Sequence, residues 1–241
     1  MDDSVFSRRE MRYGIPAADQ VLVNRHYVVG YSYYFRQAKW ALEIIDPDNP
    51  GLDRLENFRP DYRIPEDFRP DLVDYRNSGY DRGHLVASAN QREVELQNSE
   101  TYLLSNMSPQ KPRFNRQIWK QLETEIRKLN DEPSVLETYV ICGPVFYFDQ
   151  PVECIGEADT NGVSIPVPNA YFKSVLTEGR SGKLSMWSFL MPNEELDEPI
   201  EAYQVPATKI EKYAGVKLWQ NLVGSEMDLE RNRVRDYFGK F

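Results

Sequence analysis

The stretch Phe114-Asn115-Arg116-Gln117-Ile118-Trp119-Lys120-Gln121-Leu122-Glu123-Thr124-Glu125-Ile126-Arg127-Lys128-Leu129 carries the strongest periodic signal in the chain. Its apolar residues Phe114, Ile118, Leu122, Ile126 and Leu129 recur at helical spacing, which gives one buried stripe. This predicts a helix from roughly Asn115 to Asn130, with Pro133 just beyond its end. The segments around it are of another kind. His26 to Phe35 and Ala38 to Ile45 are rich in Tyr, Val, Phe and Ile, and the polar pair Arg36-Gln37 between them predicts a hairpin. Thr138 to Cys142, Ala170 to Thr177 and Leu184 to Leu190 are further strand candidates, the last two joined through a turn holding Gly179 and Gly182. Weaker helices are expected at Ala207 to Tyr213 and from about Glu226 to Tyr237. Several strands with separated helices place the chain in the α+β class, with a central mixed, mostly antiparallel sheet and helices packed on it.

The 241 residues, 41% of them hydrophobic, are enough for a proper core. No internal repeat or linker is visible, so residues 1–241 are read as a single domain. Asp46 to Tyr80, with five prolines, reads as a long surface connection of the kind that often serves function. The net charge of −9 argues against adhesion to polyanions through overall charge, so any such site must be a local basic patch. The longest mostly apolar stretch, Tyr139 to Phe148, is too short to span a bilayer, and Met1-Asp2-Asp3-Ser4 lacks the features of a signal peptide. The chain therefore reads as soluble, with no membrane partner. Its two cysteines, Cys142 and Cys154, are too few for a disulfide scaffold and too widely spaced to resemble a zinc pair; one disulfide or two free thiols are both open.

Only two histidines exist, His26 and His84, which excludes any mechanism built on a histidine cluster. His26 opens a β-prone aromatic segment and reads as structural. His84 ends Tyr80-Asp81-Arg82-Gly83-His84, where a cation, a flexible glycine and an imidazole fall together. The plain alternative is a turn in which Asp81 pairs with Arg82. Plain alternatives also exist for Asn106 as a turn residue, Asn115 as a helix cap, and Glu123 with Arg127 as a solvated helical pair. On a regular helix Asn115 and Glu123 would lie about 12 Å apart along the axis and about 80° apart around it. They could not both bind one small cation directly. Helical side chains lean toward the N-terminus, however, so Glu123 could reach a water on an ion held by Asn115. Mg²⁺ suits such a site because it takes oxygen ligands and keeps several waters. Phosphodiester hydrolysis needs water activated, charge neutralised and an alkoxide stabilised. His84 can take the proton, Arg82 can grip phosphate with a fork of donors, and the hydrated ion can serve the oxygens.

The ordered set Tyr80-Asp81-Arg82-Gly83-His84-Leu85, then Leu104-Ser105-Asn106-Met107-Ser108-Pro109-Gln110, then Asn115 with Trp119, Leu122 and Glu123, resembles the DNA/RNA non-specific endonucleases with a ββα-metal active site, in their endonuclease G-like branch. The pattern extends to Tyr13-Gly14-Ile15-Pro16, Asn77-Ser78-Gly79, Ala89-Asn90, Cys142-Gly143-Pro144-Val145-Phe146, Phe172-Lys173 and Met191-Pro192-Asn193, and so covers roughly residues 10–210, with a motif core at about 70–200.

The resemblance implies a sugar-non-specific endonuclease that leaves 5′-phosphate and 3′-hydroxyl ends. By it His84 matches the general base and Asn115 the ligand of Mg²⁺, for which Mn²⁺ can substitute. Glu123 matches the glutamate that acts through metal-bound water, and Arg82 and Asn106 match positions that contact phosphate or hold the base. Arg127 matches a further arginine near the scissile phosphate, and Arg113 and Arg116 are expected in the basic patch. An upstream arginine is also expected, but Arg54, Arg59 and Arg63 all remain open for it. DNA and RNA are the implied partners, together with a second copy in a homodimer and a protein inhibitor or regulator. The implied compartment is mitochondrial, periplasmic or secreted if a leader was removed, and the bacterial cytoplasm otherwise. Ala87 stands where many members have proline, a marker of the branch, and the acidic balance departs from the basic mitochondrial members.

Overall fold

The computed structural model describes residues 8–45, 52–236 and 238. Strands β1 (Gln20–Val23), β2 (Tyr27–Ser32) and β3 (Gln37–Ile44) run in succession as antiparallel neighbours. The expected hairpin is there, its turn closed by Arg36 at φ 51°. β4 (Asp81–His84) and β5 (Met107–Gln110) form a separate two-stranded ribbon. β6 (Val135–Val145) adds to β3, β7 (Cys154–Ile155) pairs only with β8 (Ile165–Pro166), and β9 (Ala170–Gly179) and β10 (Leu184–Pro192) complete a six-stranded sheet in the order β1-β2-β3-β6-β9-β10. Every pairing between these strands is antiparallel, so the mixed character expected of the sheet is absent from them. A parallel bridge, Arg59 to Leu103, lies outside the named strands.

Alternation along the strands sorts side chains onto two faces. Ala41, Val140, Cys142, Tyr171 and Val175 face the long helix and pack with Phe114, Ile118, Trp119, Leu122, Ile126 and Leu129. Leu42, Tyr139, Ile141, Phe172 and Leu176 point the other way, against Ile210, Leu218 and Trp219 near the C-terminal helices Ala207–Ala214 and Ser225–Asn232. Both faces are therefore covered, which explains why the central strands read as almost continuous apolar runs. The last expected helix is shorter than its sequence pattern: it ends at Asn232, and Tyr237 lies outside the described residues.

The long helix begins earlier than periodicity indicates, at residue 112. Pro112 occupies its first turn, where proline's missing N–H costs nothing. It comprises Pro112–Phe114, a π turn at Asn115–Trp119 and Lys120–Asn130. Residues 46–51 of the long proline-rich connection lie outside the described residues. The rest is not purely surface: Asp61, Ile64, Asp74 and Tyr75 are buried, and Leu72–Tyr75 forms a short helix capped by Asp71. Cys142 is buried and Cys154 exposed, both as free thiols. No helix among the described residues is long and apolar enough to cross a membrane.

Candidate active site

The β4–β5 ribbon and the helix that follows it form one wall of a cleft of about 970 Å³. On β4, alternation sends Arg82 and His84 to the same side. The ribbon can lie flat because residue 83 is glycine: a Cβ there would sit 2.1 Å from Oε1 of Gln110. Leu85 N–H donates to Asn106 O, and Asn106 spends its whole amide just past His84, accepting from Val86 N–H and donating to the carbonyls of Val86 and Thr101. Asn106 is thus fully buried, with its amide bonded to the backbone beside His84 and not turned to the cleft.

The His84 ring lies edge-on to Tyr102 at 5.1 Å and to Phe58 at 5.7 Å between centroids. Its Nε2 is buried without a partner, leaving Nδ1 as the nitrogen open to the cleft. Burial, with the nearby cations Arg54 and Arg82 adding to it, lowers the imidazole pKa to about 3. Arg82 lies over the Phe58 ring at 4.1 Å and does not pair with Asp81. Asp81 instead takes Arg116 in a two-point pair at 2.6 and 2.8 Å and accepts from Asn115 Nδ2 at 2.9 Å. Asn115 is therefore no helix cap; its amide nitrogen is engaged with Asp81, which turns Oδ1 away from that carboxylate.

The π turn bears on the same pair. A π turn absorbs roughly one residue of rotation, which reduces the offset of about 80° between Asn115 and Glu123 to about 20° and sets both on the cleft side. Glu123 is not part of a solvated helical pair. Its side chain is 13% exposed and one oxygen stands 3.7 Å from Nζ of Lys173, itself 1% exposed. Arg127 donates to Asn90 Oδ1 and Thr124 Oγ1 at the cleft floor.

Arg54, Arg76, Arg82, Arg116, Lys120 and Arg127 line the cleft against only Asp81 and Glu123. A cationic trough thus sits on an acidic chain. Among the three upstream arginines, only Arg54 lines it; Arg63 is bound to Asp61 and Arg59 donates to backbone carbonyls. Arg113, expected in the patch, pairs with Glu195 and does not line the cleft. His26 lies in a separate hollow with Arg9 and Glu137.

A model of the DNA/RNA non-specific endonuclease family matches residues 7–225. The chain belongs to that family. Its relatives include the mitochondrial endonuclease G of Caenorhabditis elegans, 33% identical over 88% of this chain and 72% of that protein, and the human one, 32% identical over 88% and 73%. A nuclease of the fungus Syncephalastrum racemosum is 33% identical over 88% of the chain and 71% of that protein. A solved EndoG/EndoGI complex, described as revealing the mechanism of EndoG inhibition, aligns with a TM-score of 0.81 and 34% identity over 89% of this chain and 91% of that one. The α+β class follows from that likeness as well as from the strands themselves.

Around these residues of the endonuclease stand others to which the sequence assigned no role. Tyr102 walls in His84, Arg76 and Lys120 extend the cationic trough, and Glu43 and Lys173 lie buried beneath it. The two buried charges had a visible signal. Each is the lone charged residue in a largely apolar, strand-forming run, Trp40-Ala41-Leu42-Glu43-Ile44 and Ala170-Tyr171-Phe172-Lys173-Ser174-Val175.

Proposed function

We propose that this endonuclease hydrolyses both DNA and RNA with His84 as general base and a divalent cation, Mg²⁺ or Mn²⁺, held by Asn115 and, through water, by Glu123. The observation that carries the reading is one cleft where a histidine, an amide oxygen and a carboxylate share a cationic lining. The donor set fits a hard cation: an amide oxygen freed by the Asn115–Asp81 bond and a carboxylate one face along the helix, with no sulfur or second imidazole. When bound, the ion would supply charge stabilisation to the phosphoryl and departing oxygens.

The chain's own residues do the rest. Arg82, Arg127 and Arg54 hold the phosphate, and their fixed charges need no rearrangement as negative charge grows. His84, neutral at pH 7 because its pKa is depressed, accepts a proton at Nδ1 from the attacking water. The phosphate anion then partly cancels the field of Arg54 and Arg82, which raises the basicity of His84 when substrate is present. Base and sugar are not read, since phosphate contacts carry no sequence information. The whole chain acts as one nuclease domain. It works as a homodimer, and it is open to a protein inhibitor; the solved complex of the related EndoG with EndoGI supports the second of these readings.

The test is digestion of supercoiled plasmid, single-stranded DNA and RNA with and without EDTA, followed by end-group analysis. Cleavage that stops in EDTA and yields directly ligatable 5′-phosphate and 3′-hydroxyl ends is expected. Full-rate cleavage in EDTA would remove the metal, and 2′,3′-cyclic ends would remove water as the nucleophile.

A further inference from the structure

Two charged residues lie where the sheet should be driest. Glu43 on β3 and Lys173 on β9 share the face that packs against the long helix, because Glu43 follows Ala41 by two residues and Lys173 lies between Tyr171 and Val175. Each is 1% exposed. Charges so placed are retained only when paired and hydrogen-bonded. Lys173 Nζ donates to Leu85 O at 3.2 Å, sits 3.7 Å from Glu123 and lies over the Trp119 ring at 4.3 Å. Trp119 Nε1 in turn donates to His84 O. One ammonium thus touches the carboxylate proposed to serve the ion and the backbone immediately after the proposed base. Behind it, Glu43 accepts from Asn90 Nδ2 at 2.9 Å and Gln91 Nε2 at 3.1 Å, and the same Asn90 accepts from Arg127 at the cleft floor.

We propose that Lys173 is a positioning residue of the nuclease site: it pins one oxygen of Glu123 and leaves the other for the cleft. The inference rests on the metal reading of Glu123 given above. Glu43, connected through Asn90, ties Arg127 into the same buried set, so the cleft's carboxylate and its floor arginine share one support.

A double-substitution cycle tests this, read on Mn²⁺ binding without nucleic acid by paramagnetic resonance or calorimetry, with thermal melting in parallel. Lys173→Met is expected to loosen Mn²⁺ by about tenfold or more, the usual effect of losing a residue that orients a metal-site group. Glu123→Gln should loosen it comparably. The double variant should bind no worse than Glu123→Gln alone, because the lysine acts only through that carboxylate. It should also melt above Lys173→Met, which strands a buried carboxylate. If Lys173→Met does not fold while the double variant does, the inference stands on that rescue. Penalties that multiply in the double variant, unchanged Mn²⁺ affinity in Lys173→Met, or failure of both variants to fold would overturn it and leave Lys173 as packing. Unchanged affinity in Glu123→Gln alone would instead remove Glu123 from the metal site, and the role of Lys173 with it. In that event chelator sensitivity still decides the nuclease reading separately.

Discussion

At the scale of single residues, the chemistry turns on how a sealed pocket treats an imidazole. His84 is squeezed by Tyr102 and Phe58 and repelled by Arg54 and Arg82, so its folded pKa of about 3 lies far below an ordinary histidine. The acid limb of kcat/KM reports the free enzyme and should lie well below the usual histidine range, whereas the limb of kcat, measured with phosphate in place, should lie higher. A pH–rate profile checks this, and coincident limbs near 6.5 would show a base that is neither buried nor repelled. The same shift has a stability sign. The unfolded chain binds a proton on His84 from about pH 6.5 downward while the folded one resists until about 3, so the stability it contributes is full above 6.5 and is lost as pH falls through that window. In His84→Ala the acid limb of cleavage disappears with activity on both DNA and RNA, nucleic-acid binding stays near the parent's, and acid unfolding between pH 6.5 and 3 becomes shallower.

At the scale of elements, two short pieces set the geometry of the cleft. The π turn brings Asn115 and Glu123 to one side, and the helix Leu72–Tyr75 supplies Leu72 and Tyr75 to the opposite wall. That short helix is tied to the excursion between β7 and β8 through Asp74, which is 2% exposed and accepts from Asp71 N–H and Asn161 Nδ2. Asp74 also faces Asp159, and burial together with that second carboxyl pushes its pKa up to about 7. The sign is opposite to that of His84: the protonated folded form is favoured, so this contribution is complete below about pH 4 and is lost as pH rises through 7. Asp74→Asn places a donor where the shared proton would lie. It should raise the melting temperature at pH 8 relative to the parent and leave it nearly unchanged at pH 5. A lower melting temperature at pH 8 would mean that Asp74 is needed there as an anion.

For the whole molecule, the contrast between a chain of net charge −9 and a trough lined by six cations governs encounter with substrate. Nucleic acid must bind by local neutralisation of phosphates against a repulsive background. With Asp81 and Glu123 offsetting part of the trough, about four phosphates should be neutralised, which gives a slope of log Kd against log salt of roughly 3 to 4 on duplex DNA. Arg76→Gln, at the edge of the cleft, should lower that slope by about 1 and weaken binding evenly across sequences. Fluorescence anisotropy with inactive His84→Ala and two unrelated duplexes measures both. A flat salt dependence, or a sequence-selective effect of Arg76→Gln, would point to recognition other than through the backbone.

Much of this architecture is legible in the order of the amino acids. Apolar spacing alone marks the long helix, because one face must be buried, and the β-branched and aromatic runs mark the central strands. The ordered motif around His84, Asn106 and Asn115 points to the endonuclease family, because chemistry constrains residue type and spacing more tightly than packing does. Other features depend on distant parts of the chain. As a letter, Asn106 is equally suited to binding phosphate; its amide is instead bonded to the backbone at Val86 and Thr101, which only the fold decides. Arg54, Arg59 and Arg63 are equivalent as letters, and only the course of the connection over Tyr102 and Ser99 brings Arg54 to the cleft and leads Arg59 away. The rotation of Asn115 toward Glu123 arises from a π turn, which aligns Phe114 with Leu122 by the same amount; apolar residues four apart read as an ordinary helical stripe and do not mark where that turn falls. Glu43 stands out in the sequence only as a misplaced charge in a strand, and Lys173 as such a charge within the matching pair Phe172-Lys173, with no role attached. Their connection to Glu123 and Arg127 needs the sheet and helix stacked face to face, since a buried charge is explained by its partners, and those come from elements far apart in sequence.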